Sequence, residues 1–302
     1  MYRIRSPLHR RSRVEHQPHR LAAGQPGQGQ NHWSAAHAHF PPPGVQGRAL
    51  IRRPSPRLAE GLITHIEREP IDSGLAERQW HGYVDALRTT GWQTIEVTDA
   101  PECPDAVFVE DTVVMFEGTA VISNPGADAR KPETSGTADA LRDLGYPVTA
   151  MGEGTLDGGD VLKIGSLVYV GRGGRTDAAG VAEFRSILEP LGATVIAVPL
   201  RKVLHLKSAI TALPDGSVIG YPPLVDDSSF FPHFRPMPEE AGAHVVDLGQ
   251  GRLLIAASAP RSAELIADLG YTPVPVDISE FEKMEGCVTC LSVRLRTGPA
   301  QP

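Results

Sequence analysis

Apolar residues recur three or four positions apart in several stretches of the chain. They are Trp80, Tyr83 and Leu87, then Val181, Phe184, Leu188 and Leu191, then Leu265, Ile266 and Leu269. That spacing lines one face of a helix. Glycines stand at Gly91, Gly145, Gly192 and Gly270, where a helix end needs the left-handed backbone that glycine adopts most readily. A short strand pattern comes next, at 94–97, 147–149, 194–198 and 272–276. A polar connection then leads to a second β-rich run, at 112–116, at 161–164 with 167–170, and at 288–295. A weaker fifth copy begins near 243–246 and continues into 252–257. The pattern predicts about five strand-and-helix modules in a single α/β domain with internal pseudo-symmetry. Strands grouped around an axis, with helices outside, form a radial architecture. An ordinary open α/β sheet is the alternative, but no glycine-rich dinucleotide or phosphate motif accompanies it.

The ends of the chain break this pattern. Residues 1–46 contain Gly24-Gln25-Pro26-Gly27-Gln28-Gly29-Gln30 and Pro41-Pro42-Pro43-Gly44, which lack an apolar period and cannot bury much surface. They read as a disordered extension, or as residues upstream of the true start of translation. Six of the eleven histidines lie there, without ligand spacing. Order is expected from 48–53, with 55–62 a loop. The catalytic body spans 47–297, and 298–302 reads as a flexible tail.

Charge and cysteine content narrow the partners. The formal net charge is −7 over 302 residues. The first 44 residues carry a net +5, so the remainder carries −12. An acidic body argues against nucleic acid and suits a small cationic substrate. Three cysteines, Cys103, Cys287 and Cys290, are too few for a disulfide framework and point to a reducing, cytoplasmic setting. No run approaches the roughly 18 apolar residues of a membrane span, and the start lacks the apolar stretch of a signal peptide.

The chemistry-bearing residues sit at comparable points of the modules. Glu110-Asp111 and Cys290 each follow a helix-ending glycine by about twenty residues, Asp157 and Asp160 by about fifteen, and His205 by thirteen. In a radial fold these positions converge at the axis. Each has a plain structural reading alone: a buried thiol, a hydrogen-bonded core imidazole, an Asp-Gly turn, a strand end. Together they suggest a nucleophile, an acid–base group and carboxylates for a planar cation. Cys287 and Cys290 form a Cys-x-x-Cys. Its placement on a strand, with no helix N-terminus to stabilise a thiolate, argues against redox use. Zinc would need further ligands, and Cys103 is isolated in sequence.

The segments Phe108-Val109-Glu110-Asp111, Leu156-Asp157-Gly158-Gly159-Asp160, Leu204-His205-Leu206-Lys207 and Val288-Thr289-Cys290-Leu291-Ser292 resemble the dimethylarginine dimethylaminohydrolase family, over about residues 48–296. The resemblance implies the five-bladed α/β propeller (pentein) fold of the guanidine-modifying enzymes. It also implies hydrolysis of Nω-methylated arginine to citrulline, without metal or organic cofactor. Cys290 would attack the guanidinium carbon, His205 would serve as acid and then base, and Asp111 and Asp157 would hold the guanidinium. Glu110 matches a substrate contact, and Asp105 an acid at the amino-acid end of the substrate. Arg130 and Arg175 match the arginines that bind its α-carboxylate, Leu62 a loop leucine over the site, and Met284 a main-chain contact. Asp160 matches a motif position. The family often has Gly or Leu where this chain has Cys287, which adds an oxidisable thiol beside the nucleophile. The sequence leaves the assembly state open, a homodimer included.

Three other functions share parts of this pattern. Arginine deiminases typically carry a second Asp two residues after the histidine, where this chain has Lys207, and an extra helical insertion for which there is no room. Amidinotransferases share the fold but are usually longer. Non-catalytic propellers, such as ribosomal anti-association factors, lack the Cys–His pair and the carboxylates.

Overall fold

The computed structural model describes residues 46–300, all within the unit Ala38–Pro302. The expected N-terminal extension lies, up to residue 45, outside the described residues. In chain order the elements begin with β1 (Gly47–Ile51), α1 (Ser73–Thr89) and β2 (Trp92–Glu96). A hairpin of β3 (Val113–Phe116) and β4 (Thr119–Ile122) leads to α2 (Glu133–Asp143) and β5 (Val148–Ala150). The next hairpin, β6 (Val161–Ile164) and β7 (Leu167–Arg172), leads to α3 (Ala178–Leu188) and β8 (Thr194–Pro199). Then come β9 (Ile210–Ala212), β10 (Val218–Gly220) and β11 (Phe234–Pro236). The last units are β12 (Val245–Gly249), β13 (Arg252–Ala256), α4 (Pro260–Asp268) and β14 (Thr272–Val276), followed by α5 (Ser279–Glu282) and β15 (Val293–Leu295).

These strands form five three-stranded sheets of one design. In four of them an antiparallel hairpin is followed by a crossover to a parallel third strand. In the remaining sheet β1 is the middle strand, parallel to β2 and antiparallel to β15 from the other end of the described chain. Middle strands are the most buried, as in Ala49, Leu50 and Ile51 of β1 and Leu253, Leu254 and Ile255 of β13. Burial on both faces explains their unbroken apolar sequences.

The helix faces read from the sequence are the buried ones. Trp80, Tyr83 and Leu87 of α1 pack against Ala49 and Ile51 of β1 and Leu254 of β13. Phe184 and Leu188 of α3 pack on Val168 and Val170 of β7. Asp72 caps α1 and Asp177 caps α3, each accepting a main-chain N–H of the first turn. Gly91, Gly145, Gly192 and Gly270 all have positive φ, between 84° and 94°. The fourth sheet departs from the pattern. Short 3-10 turns at Pro222–Leu224 and Ser228–Phe230 replace the crossover helix, so the periodic signal that marked other modules is absent there. For the same reason the hairpin β9–β10 went unread.

A second departure concerns the segment bearing Cys290. The strand expected over 288–295 is shorter, only Val293–Leu295, and residues 288–291 form a turn. Such turns recur: Val109–Thr112, Gly158–Asp160, Leu206–Ser208 and Ala241–Ala243 are 3-10 turns shortly before the first strand of four sheets. Apolar runs carry no mark of where a turn ends and a strand begins. At the far end Tyr146 donates its hydroxyl to the Thr297 carbonyl, and Ala300 N–H bonds the Gly118 carbonyl. A cavity of about 390 Å³ is lined by residues from β3, β6, β9, β12 and β15, the antiparallel edge strand of every sheet.

Candidate active site

The turns ahead of the first strands carry the candidate side chains, and they pack on one another. His205 Nε2 lies 3.0 Å from Asp157 Oδ2, and its Nδ1 lies 3.8 Å from Asp111 Oδ1. All three residues are buried. Gly159 makes this approach feasible: a Cβ there would stand 2.6 Å from Asp111 Oδ1 and 2.7 Å from His205 Nδ1. The Gly158-Gly159 pair is therefore required for close packing. Gly159 N–H also donates to Asp111 Oδ1 at 2.8 Å, and Gly126 N–H to Asp157 Oδ1 at 2.9 Å. Asp160 sits behind, accepting from Thr176 Oγ1 and from Leu206 N–H next to the histidine.

The electrostatics favour an imidazolium. Burial opposes the charge on His205, but Asp111, Asp157 and Asp160 outweigh it and raise its pKa to about 9. Burial likewise opposes ionisation of Asp111, yet His205, Arg130 and the Gly159 N–H bring its pKa to about 2. Asp160 is carried the other way, to about 6, because burial dominates. Asp111, Asp157 and His205 each offer an atom within 4.8 Å of the others, a spacing a metal ion could use. Here the imidazole and the carboxylates satisfy one another directly.

Cys290 enters from the C-terminal turn. Its carbonyl accepts Glu110 N–H at 3.2 Å, which staples its turn to the turn bearing Asp111. Tyr83 of α1 bonds the Val288 carbonyl and Ser292 Oγ from below. The hydrogen bond to Cys287, burial, and the negative Glu110 and Asp111 all push the Cys290 thiol above its ordinary range. A cation placed against those carboxylates would reverse the last contribution.

Glu110 and the two arginines hold the remaining polar atoms. Glu110 Oε1 receives Lys207 at 2.6 Å and Arg294 at 3.3 Å, while its Oε2 is buried without a hydrogen-bond partner. Arg175 Nη1 is also buried without one, 3.6 Å from Asp157. Arg130 is arranged differently from the expected carboxylate binder. It pairs with Glu133 at 2.8 Å and Asp111 at 2.5 Å, and it bonds the carbonyls of Asp105 and Phe108. A guanidinium this deeply buried requires full pairing, and Glu133, one turn further on, supplies it.

The loop 55–62 contains one 3-10 turn, Leu58–Glu60, and then crosses over Asp105. Leu62 N–H points at both oxygens of Asp105, 3.2 Å each. Glu285, in the left-handed region with φ 58°, accepts Thr64 N–H at 2.8 Å and His65 N–H at 2.6 Å. Met284 is buried near Gly61, where a Cβ would collide with its methyl group. Arg52, Glu133, Thr176 and Glu285 were not legible as site residues. Arg52 looks like a strand position, yet its buried guanidinium ties β1 to the carbonyls of Thr98, Ala106 and Glu133. Only the pairing of a buried charge across elements reveals such roles.

No protein-family model matches the chain. It is 66% identical over 250 residues to a dimethylarginine dimethylaminohydrolase of Streptomyces coelicolor, covering 82% of this chain and 97% of that one. A crystal structure of a dimethylarginine dimethylaminohydrolase variant as an adduct with S-methyl-L-thiocitrulline superposes with TM-score 0.78, at 31% identity over 83% of this chain and 100% of that one. A variant enzyme of Pseudomonas aeruginosa complexed with citrulline gives TM-score 0.77, at 31% identity and the same coverage.

Proposed function

This chain belongs to the dimethylarginine dimethylaminohydrolase family, and we propose from that membership and the site geometry how it acts. It hydrolyses Nω-methylated arginine to citrulline and methylamine or dimethylamine. Cys290 loses its thiol proton to solvent as the cationic substrate binds, and its thiolate Sγ attacks the guanidinium carbon. The imidazolium of His205 gives its proton to the departing amine, the C–N bond breaks, and a thiouronium remains on Cys290. Water then adds to that carbon, losing a proton to the now neutral His205, and the C–S bond breaks to release citrulline.

The observation that carries this reading is the imidazole clasped between two buried carboxylates. A pKa of about 9 keeps the general acid protonated at neutral pH. Asp111 and Asp157 face the substrate guanidinium, and the unpartnered Glu110 Oε2 accepts one of its N–H groups. The free Nη1 of Arg175 receives the α-carboxylate. Arg130 keeps Asp111 ionised and oriented, and joins the carboxylate by yielding one of its internal bonds. Leu62, Asp105 and Met284 form the cover at the amino-acid end. Lys207, two residues after the histidine and turned onto Glu110, stands where arginine deiminases carry a further guanidine-binding Asp, which favours methylated over plain arginine.

The finer architecture follows from the same elements. The antiparallel edge strands of all five sheets line one cavity, which supports a five-bladed propeller over residues 47–297. We place the enzyme in the cytoplasm as a protein of small-molecule metabolism, with a homodimer to be tested by sedimentation. Among the described residues no helix is long and apolar enough to cross a membrane.

Citrulline release measured from arginine, monomethylarginine and asymmetric dimethylarginine tests the reading. The wild-type chain is expected to favour the methylated substrates. Cys290→Ser and His205→Ala are each expected to abolish release with the circular-dichroism spectrum unchanged. Undiminished turnover by Cys290→Ser would overturn the mechanism.

A further inference from the structure

The second cysteine of the Cys-x-x-Cys is not used by this chemistry, and its surroundings are specific. Cys287 Sγ lies 3.2 Å from Cys290 Sγ, and Cys287 N–H points at the same Cys290 sulfur at 3.4 Å. The segment between them is a turn closed by Cys290 N–H on the Cys287 carbonyl at 3.1 Å. A four-residue turn brings its outer Cα atoms within about 7 Å, in or near the range a disulfide spans. The strand expected there would have sent side chains three apart to opposite faces. The turn removes that objection.

Cys287 also has its own approach. A cavity of about 510 Å³ is lined by Cys287 together with His65, Leu204, His244 and Glu282. It is separate from the cavity lined by Glu110 and Lys207. His244 directly follows the 3-10 turn of the fifth sheet, and its Nε2 is within 2.9 Å of the Ser208 carbonyl. The hydrogen bond with Cys290 lowers the Cys287 thiol below its ordinary range. Burial opposes this, and His244 and Thr289 reinforce it. A thiolate there is the reactive form toward peroxides.

We propose that Cys287 and Cys290 are a peroxide-responsive dithiol, and that their reversible disulfide switches off the nucleophile. The Cys287 thiolate attacks one oxygen of a hydroperoxide, the O–O bond breaks, and the departing alkoxide or hydroxide takes the proton of Cys290. The Cys290 thiolate then attacks the Cys287 sulfenic sulfur, the S–S bond forms, and hydroxide leaves. The two sulfurs are oxidised by two electrons in total. The peroxide is reduced to an alcohol, or water, plus hydroxide. A dithiol reverses the step by exchange. Cys290 is thereby spared irreversible oxidation and returned intact.

The test treats the full chain with hydrogen peroxide and follows mass and activity. Trypsin cuts after Lys283 and Arg294, so both cysteines lie in one peptide, residues 284–294. After peroxide this peptide is expected to lose two hydrogens and resist alkylation, and to recover both properties with dithiothreitol. Activity is expected to vanish and return in parallel. Cys287→Ser, expected to keep basal activity, should instead gain oxygen on Cys290 and stay inactive after dithiothreitol. Alkylation of both cysteines after peroxide would overturn the proposal. So would equal recovery of activity by the wild type and Cys287→Ser. The peptide readout stands whether or not the substrate assignment holds.

Discussion

His205 draws its character from its neighbours: an isolated buried imidazole would lose its proton, and this one keeps it. Asp157 makes the direct hydrogen bond, so Asp157→Asn is expected to lower the His205 pKa from about 9. A shift of one unit corresponds to about 1.4 kcal/mol. The change is read from the imidazole resonances in an NMR titration of the resting enzyme. An unmoved midpoint would mean that Asp111 and Asp160 set the value without Asp157. Residue identity gave good guidance here, since the carboxylates and the imidazole could be picked out by their motifs. How Arg130 is held was not legible, because only the structure shows Glu133 and Asp111 pairing with its guanidinium.

Among the elements, the cover over Asp105 depends on one carboxylate from a distant turn. Glu285 accepts two main-chain N–H groups of the segment at 64–65, and Arg68 bonds the carbonyls of Ala59 and Gly61. Glu285→Gln weakens one or both of the charge-assisted bonds, worth about 1.5–3 kcal/mol each when fully formed. The expected result is a fall in kcat/KM of about tenfold, the equivalent of 1.4 kcal/mol. Faster tryptic cleavage at Arg57 and Arg68 should accompany it. Unchanged cleavage and unchanged kinetics would show that the loop is held without Glu285. The helices and their glycine ends were legible because period and punctuation are local. The fourth sheet was not, because its crossover has no helix to announce it. The sequence placed the site residues in the connection between a module's strands or at the start of the second, without the 3-10 turns themselves, since a turn of three or four residues has no period of its own.

For the molecule as a whole, the clustered charges couple folding to pH. The folded pKa of His205, about 9, lies above the roughly 6.5 of an unfolded histidine. Its stabilising contribution is therefore complete below about pH 6.5 and is lost as pH rises through about 9. Asp111 works in the opposite sense: its contribution is present above the unfolded carboxylate value of about 3.9 and is lost as pH falls toward about 2. Thermal midpoints of wild type and His205→Asn, measured across pH, are expected to differ most on the acidic side of the histidine window. The gap should shrink on its alkaline side, and a constant gap would contradict the linkage.

The sequence by itself determined the repeating helix–glycine–strand unit and the α/β class, and it picked out the candidate polar residues whose clustering the structure shows. Each of these rests on local spacing or on side-chain chemistry. Tertiary structure decided the rest: β15 closing on β1, Arg130 turning inward, the segment at 64–65 held by Glu285, and a turn that sets two sulfurs together. Those outcomes depend on which distant groups share a buried space, where every charge and polar atom must find a partner. Linear order does not state that partnership.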